Sequence, residues 1–117
     1  LKGMDRTERI AGEMRRALSD ILRNDLKDPR IPTVTSVTNI KLAKDLKYAK
    51  VYISIYAGEK EKKAALAALR GSGGFIRKAL GQKMIIRTLP ELTFVLDDSI
   101  EYGSYMARKI DELTKNP

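Results

Sequence analysis

The chain has 117 residues, 43% of them apolar and 32% charged, with a net charge of +8. That length closes one core of a few helices on a small sheet, and no apolar run approaches the ~20 residues that span a bilayer. Cysteine and histidine are both absent, which excludes disulfide frameworks, thiolate metal centres and histidine general bases, and with them most enzyme designs.

Asp5-Arg6-Thr7-Glu8 has the spacing of a capping box, and Ile10, Met14, Ala17, Leu18, Ile21 and Leu22 recur after it at helical intervals, predicting a first helix over 6–24. Asp28-Pro29-Arg30 stops it, since Pro29 has no amide hydrogen and pushes Asp28 out of the helical region; Asp28 and Arg30 are free to pair locally. Residues 33–42 are rich in β-branched side chains and read as a strand, 43–47 as a turn, and 48–57 as a second strand. In the second strand Ala49, Val51, Ile53 and Ile55 share the face expected to be buried, and Lys50, Tyr52, Ser54 and Tyr56 the other. The pair reads as an antiparallel hairpin. Tyr48, Tyr52 and Tyr56 fall on one face, where bases could stack; packing under a helix with wet hydroxyls is the favoured expectation.

An alanine-rich helix follows over 60–69, with Ala65, Leu66 and Leu69 on its apolar side. A second helix runs from residue 72 or 73 to 81 and uses Phe75, Ile76, Ala79 and Leu80 as its apolar side. Gly71-Ser72-Gly73-Gly74 is expected to break the chain between them. After Pro90, Leu92, Phe94 and Leu96 mark a third strand, and Asp98-Ser99-Ile100-Glu101 has capping-box spacing ahead of a last helix carrying Met106, Ile110 and Leu113. The expected fold is one α+β domain over 1–117, a three-stranded sheet covered by helices. Met4 is the expected natural start, with Leu1-Lys2-Gly3 as a remnant before it. Nothing at the start reads as a secretory leader, so the expected address is cytoplasmic.

Charge is partitioned along the chain. Residues 1–63 hold 15 basic and 9 acidic side chains, residues 91–117 hold 3 and 6, and residues 64–90 hold five basic and none acidic. Those five are Arg70, Arg77, Lys78, Lys83 and Arg87, clustered in sequence around the glycines. A polyanion is the natural partner, nucleic acid ahead of a membrane surface, because no helix joins bulky apolar anchors to a continuous basic face. Arg15, Arg16 and Arg23 alternate with Glu13 and Asp20 and read as solvated helix surface. Asp97, Asp98 and Glu101 invite a metal, but helix capping explains Asp98 and Glu101 without one, and no metal or cofactor is expected.

The glycine break has two sharp readings and a bland one. Gly71-Ser72-Gly73-Gly74 matches the Gly-x-x-Gly loop with which KH domains clamp a nucleic-acid backbone, though without a basic residue inside the loop. A DNA-binding helix-turn-helix is the alternative, but its reading helix would open on Gly73, Gly74, Phe75 and Ile76 rather than on polar side chains. The bland reading is a helical hairpin with a solvated basic face. A pure protein-interaction module is a further class.

Together the segments resemble the ribosome-binding factor A family. The resemblance rests on Lys27-Asp28-Pro29-Arg30, on Asp45-Leu46-Lys47-Tyr48-Ala49-Lys50-Val51-Tyr52-Ile53-Ser54, on Gly74-Phe75-Ile76-Arg77, and on Arg87-Thr88-Leu89-Pro90-Glu91-Leu92-Thr93-Phe94 continuing through Asp97-Asp98-Ser99-Ile100-Glu101-Tyr102-Gly103. It implies a type II KH-like domain of order αββα-kink-αβ with a C-terminal helix. The family's Ala-x-Gly kink would fall on Ser72-Gly73-Gly74, with serine in place of alanine. It further implies a monomeric, non-catalytic bacterial assembly factor that binds the immature 30S subunit and its 16S rRNA, supports late rRNA maturation and growth in the cold, and neighbours assembly GTPases. Arg70, Arg77, Lys78, Lys83 and Arg87 are then expected to neutralise RNA phosphates, while Ser72, Gly73 and Gly74 let the RNA backbone approach.

Overall fold

Alternate residues of the second strand carry the centre of the fold. In the computed structural model, which describes residues 6–32 and 34–97, β1 (Ser36–Leu42) pairs antiparallel with β2 (Tyr48–Ser54), and β2 pairs parallel with β3 (Glu91–Leu96), giving the sheet order β1-β2-β3. The register lines up three rows on one face: Leu42, Ala49 and Leu92; Ile40, Val51 and Phe94; Val37, Ile53 and Leu96. All but Leu42, Leu92 and Leu96 are buried, and those three pack against the core from its margin. A bulge between Val37 and Asn39 keeps this face apolar along β1. Without the extra residue, strict alternation would turn the Thr38 hydroxyl inward in place of Val37. Thr38 instead donates to the Asp97 carboxylate at 2.5 Å, just past the end of β3.

The helices cover that face. α1 (Arg6–Asp20) lies over β1 and buries Met14 and Leu18, α2 (Glu59–Gly71) lies against β3 with Ala65 and Leu69 inward, and α3 (Gly73–Lys83) closes on α1 through Ile76 and Leu80. A parallel pair requires a crossover, and α2 with α3 provides it between β2 and β3. The first helix does not end at Asp20. It widens into a π-helical turn, Ile21–Asp25, closed by Leu26 N donating to Ile21 O at 2.9 Å. The expected helix 6–24 therefore has the right extent, but its last turn is a looser coil that keeps Ile21 buried and presents Arg23, Asn24 and Asp25 outward.

On the opposite sheet face, where the expected cover, the last helix, lies outside the described residues, Tyr52 is half-buried and Tyr48 is 59% exposed; Tyr56, just past β2, is 84% exposed, and among the described residues nothing covers either. On this face Lys41 stands directly opposite Lys50. The predicted first capping box and the last helix fall outside the described residues.

The turn after α1 is built by one ion pair. Asp28 Oδ1 accepts from Arg30 N at 2.9 Å and Arg30 Nε at 3.1 Å, while Oδ2 accepts from Arg30 Nη2 at 2.8 Å. The Arg30 side chain, then its backbone amide, holds the Asp28 carboxyl down at about 2. An unfolded carboxylate titrates near ~3.9, so this contribution to stability is complete above about pH 5 and disappears as pH falls through the folded value. The melting advantage of the native chain over Asp28→Asn is accordingly expected to hold from neutrality to about pH 5 and to close between about pH 4 and 2, as thermal melts followed by circular dichroism at stepped pH would register.

Candidate nucleic-acid interface

The break between α2 and α3 is one residue long. Ser72, at φ −97° and ψ 11°, is the only non-helical residue between Gly71 and Gly73. Its amide donates back to Ala68 O at 3.0 Å and Leu69 O at 3.1 Å, and its carbonyl accepts from Ile76 N at 2.9 Å, so it ends one helix and starts the next. Gly71, Gly73 and Gly74 are helical. The junction is therefore the kink that the resemblance implies on Ser72-Gly73-Gly74, and the literal Gly-x-x-Gly pattern does not form a loop. A helix-turn-helix, which joins its helices through a turn of about 3–4 residues, fits this junction poorly.

No described glycine has a positive φ, and a Cβ built on Gly71, Gly73 or Gly74 would meet nothing within 4 Å. The fold itself thus makes no steric demand for glycine at any of the three. In a helix each costs roughly 0.5–1 kcal/mol relative to alanine. The backbone of all three, with Ser72 between the first and second, is thus open to close approach from outside.

The five cations of the acid-free window divide by what they touch. Arg70, at the end of α2, donates from Nη2 to Phe94 O at 3.1 Å and ties the helix to edge strand β3. Arg77, one turn into α3, donates from Nε to Pro90 O at 3.1 Å and from Nη2 to Leu89 O at 2.8 Å, clamping α3 to the segment that leads into β3. Both keep their charge, since carbonyl oxygens are neutral, but both also serve the fold. Lys83 lies at the other end of α3, about 15 Å along the axis from the kink at ~1.5 Å per residue. Its ammonium donates to Asp20 Oδ2 at 2.6 Å and lies 3.3 Å from Asp25 Oδ2. The Asp20 hydrogen bond, followed by that of Asp25, raises the Lys83 pKa, while the same contact with Lys83 lowers that of Asp20. Lys83 is thus neutralised within the protein and stands apart from the kink. Lys78 and Arg87 are exposed and have no hydrogen bond or ion pair among the described residues. They are the two cations of the set left wholly for an external anion.

Periodicity misplaces one residue. Phe75, assigned to the apolar side of α3, is 51% exposed, because Ile76, Ala79 and Leu80 already form the buried stripe and Phe75 falls at its edge. Its place directly after two glycines is the signal that could have marked it.

Comparison with known proteins agrees with this architecture. The family model for ribosome-binding factor A matches residues 6–110. The chain is 46% identical over 109 residues to ribosome-binding factor A of Acetivibrio thermocellus, covering 93% of this chain and 89% of that one. It is 51% identical over 106 residues to the factor of Clostridium botulinum strain Eklund 17B, covering 90% and 88%. Among solved structures, the crystal structure of ribosome-binding factor A from Thermus thermophilus superposes with a TM-score of 0.69 at 28% identity, covering 77% of this chain and 93% of that one. The Thermus factor as fitted into a cryo-electron-microscopy map of a 30S complex gives 0.63 at 28%, covering 75% and 91%. The chain belongs to the ribosome-binding factor A family.

Proposed function

We propose that this member of the family binds the immature 30S subunit through its 16S rRNA and acts by occupancy, holding an rRNA conformation during late maturation and leaving once the site is complete. The observation that carries the reading is the kink, three glycines that the fold does not require, in a stretch of sequence that holds no carboxylate and includes the unpartnered Lys78 and Arg87. A phosphodiester backbone needs both close approach and uncompensated positive charge, which is what supports this reading. Arg70 and Arg77 flank the kink in sequence and add charge while anchored on β3 and the segment before it, with Ser72 forming the kink. Lys83 contributes at most at long range. Support for late rRNA maturation and growth in the cold, non-catalytic action as a monomer in the bacterial cytoplasm, and neighbouring assembly GTPases complete the reading.

Binding of purified immature 30S particles, measured by co-sedimentation over a salt series, tests it. Affinity is expected to fall with salt at a slope of roughly −0.7 per neutralised phosphate for single-stranded contacts. Lys78→Glu, at an exposed site with no internal partner, is expected to leave the melting temperature in place and weaken binding about tenfold. Native affinity in a folded Lys78→Glu chain would overturn the assignment. Retention of all particle contacts after ribonuclease treatment would point to a protein-interaction module.

A further inference from the structure

Phe75, Lys78, Ala79 and Gln82 recur at i, i+3, i+4 and i+7 on α3 and form one wall of a groove of about 760 Å³ whose other wall is the π turn, with Asn24 and Asp25. The wall combines an aromatic ring, an amide and a cation on one helical stripe. Of these, Phe75 is half exposed, and Lys78 and Gln82 have no hydrogen-bond partner among the described residues. Opposite them, Asn24 Nδ2 donates to Asp20 Oδ1 at 2.6 Å, which leaves its amide oxygen without a partner among the described residues. Asp25 is the one carboxylate lining the groove, and it shares the Lys83 ammonium, 3.3 Å away, with Asp20. Lys78 is the cation of the groove without an internal partner among the described residues.

We infer that this groove takes a single unpaired RNA base, stacked on the Phe75 ring with its edge toward Gln82 and Asn24 and its phosphate toward Lys78. The inference rests on the RNA-binding reading and adds a base contact to it. A base has a flat apolar face and an edge of hydrogen-bond donors and acceptors, followed at fixed distance by one negative charge. The groove offers a complement to each: the Phe75 ring for the face, the amides of Gln82 and Asn24 for the edge, and the Lys78 ammonium between ring and amide for the charge. An apolar peptide side chain would cover Phe75 but strip water from the amides of Gln82 and Asn24 without replacing it, which is unfavourable. An acidic peptide would pair with Lys78 but leave the Phe75 ring unused. The π turn matters because its wider coil carries Asn24 and Asp25 outward at the end of a helix whose preceding turns are buried against β1.

Two measurements on the full chain bound to immature 30S particles test this. First, short-wave ultraviolet irradiation followed by nuclease and trypsin digestion is expected to leave a nucleotide adduct on the peptide 71–77, which cleavage after Arg70 and Arg77 releases, with the modification on Phe75. Second, Phe75→Ala and Phe75→Leu are each expected to bind about tenfold more weakly, while Phe75→Tyr keeps near-native affinity. All three should show an unchanged salt slope, because no phosphate contact is lost, whereas Lys78→Ala should flatten the slope by about 0.7. Because Phe75 is half exposed, circular dichroism melts are expected to show all variants folded. Full binding by Phe75→Leu would overturn the inference by showing that apolar bulk suffices, as would native affinity of Phe75→Ala or adducts confined to other peptides. In those cases the native chain still binds the particle and the 30S reading stands. Failure of the native chain itself to bind would instead remove the reading on which the inference rests.

Discussion

Arg77→Ala is expected to melt about 10 °C below the native chain, a loss of about 3 kcal/mol for a domain of this size. The guanidinium makes two hydrogen bonds to consecutive carbonyls, Leu89 O at 2.8 Å and Pro90 O at 3.1 Å. Hydrogen bonds from a charged donor contribute roughly 1.5–3 kcal/mol each, reduced where water competes. Pro90 is fully buried, so its carbonyl has few alternatives once the guanidinium is gone. The clamp also sets the relation of α3 to β3, because Arg77 binds the two residues that immediately precede the strand. Lysine would not restore it, since a single ammonium cannot present the fork that reaches both carbonyls. An Arg77→Lys chain is therefore expected to melt closer to the alanine variant than to the native protein. Lys78→Glu should show the converse pattern, native melting and weakened 30S binding. The two neighbours in sequence thus separate under a pair of measurements, thermal denaturation and co-sedimentation. A double reversal of Arg77 and Lys78 together would confound them, and the single Lys78 substitution is the cleaner probe of the interface.

The elements of the fold are legible in the sequence wherever a period is. Ala49, Val51, Ile53 and Ile55 alternate and are all buried, and Ile10 through Leu22 recur at helical spacing and form the first helix. The π turn is not legible, since its extra residue per turn leaves the residue types of an ordinary helix end unchanged. The bulge at Thr38 is hidden for a similar reason, because a strand rich in β-branched residues looks alike in either register. Within the candidate site, charge can be read from sequence but its disposition cannot. Arg70, Arg77, Lys78, Lys83 and Arg87 are equivalent as an acid-free run. Only long-range geometry assigns Arg70 to Phe94 O and Lys83 to two aspartates at the end of the first helix, and leaves Lys78 and Arg87 without a partner among the described residues. Phe75 is misplaced because an aromatic beside Ile76 counts toward an apolar face in any periodic template, although its direction lies about 100° from that of its neighbour.

Replacing Gly71, Gly73 and Gly74 together by alanine is expected to stabilise the chain while weakening the interface. Each position is helical with a negative φ, and each added methyl would project into space with no atom within 4 Å. Alanine is favoured over glycine by about 0.5–1 kcal/mol per helical position, chiefly by narrowing the unfolded ensemble, so the triple variant should gain about 2 kcal/mol and melt several degrees higher. In a protein that needed these residues for its own packing the sign would be opposite. If this is the surface that the proposed RNA contact uses, the same methyl groups would block close approach, and binding to immature 30S particles is expected to fall about tenfold despite the gain in stability. A triple variant both more stable and fully competent to bind would show that the open glycine backbone serves no partner. One that is less stable would show that the kink angle itself depends on glycine, since straightening α2 into α3 would draw Arg70 and Arg77 off their carbonyls on β3 and the segment before it. Single substitutions separate these outcomes: Gly71 precedes Ser72 and ends α2, whereas Gly73 and Gly74 open α3 directly ahead of Phe75. The binding loss should therefore concentrate in Gly73→Ala and Gly74→Ala, with the stability gain shared among all three.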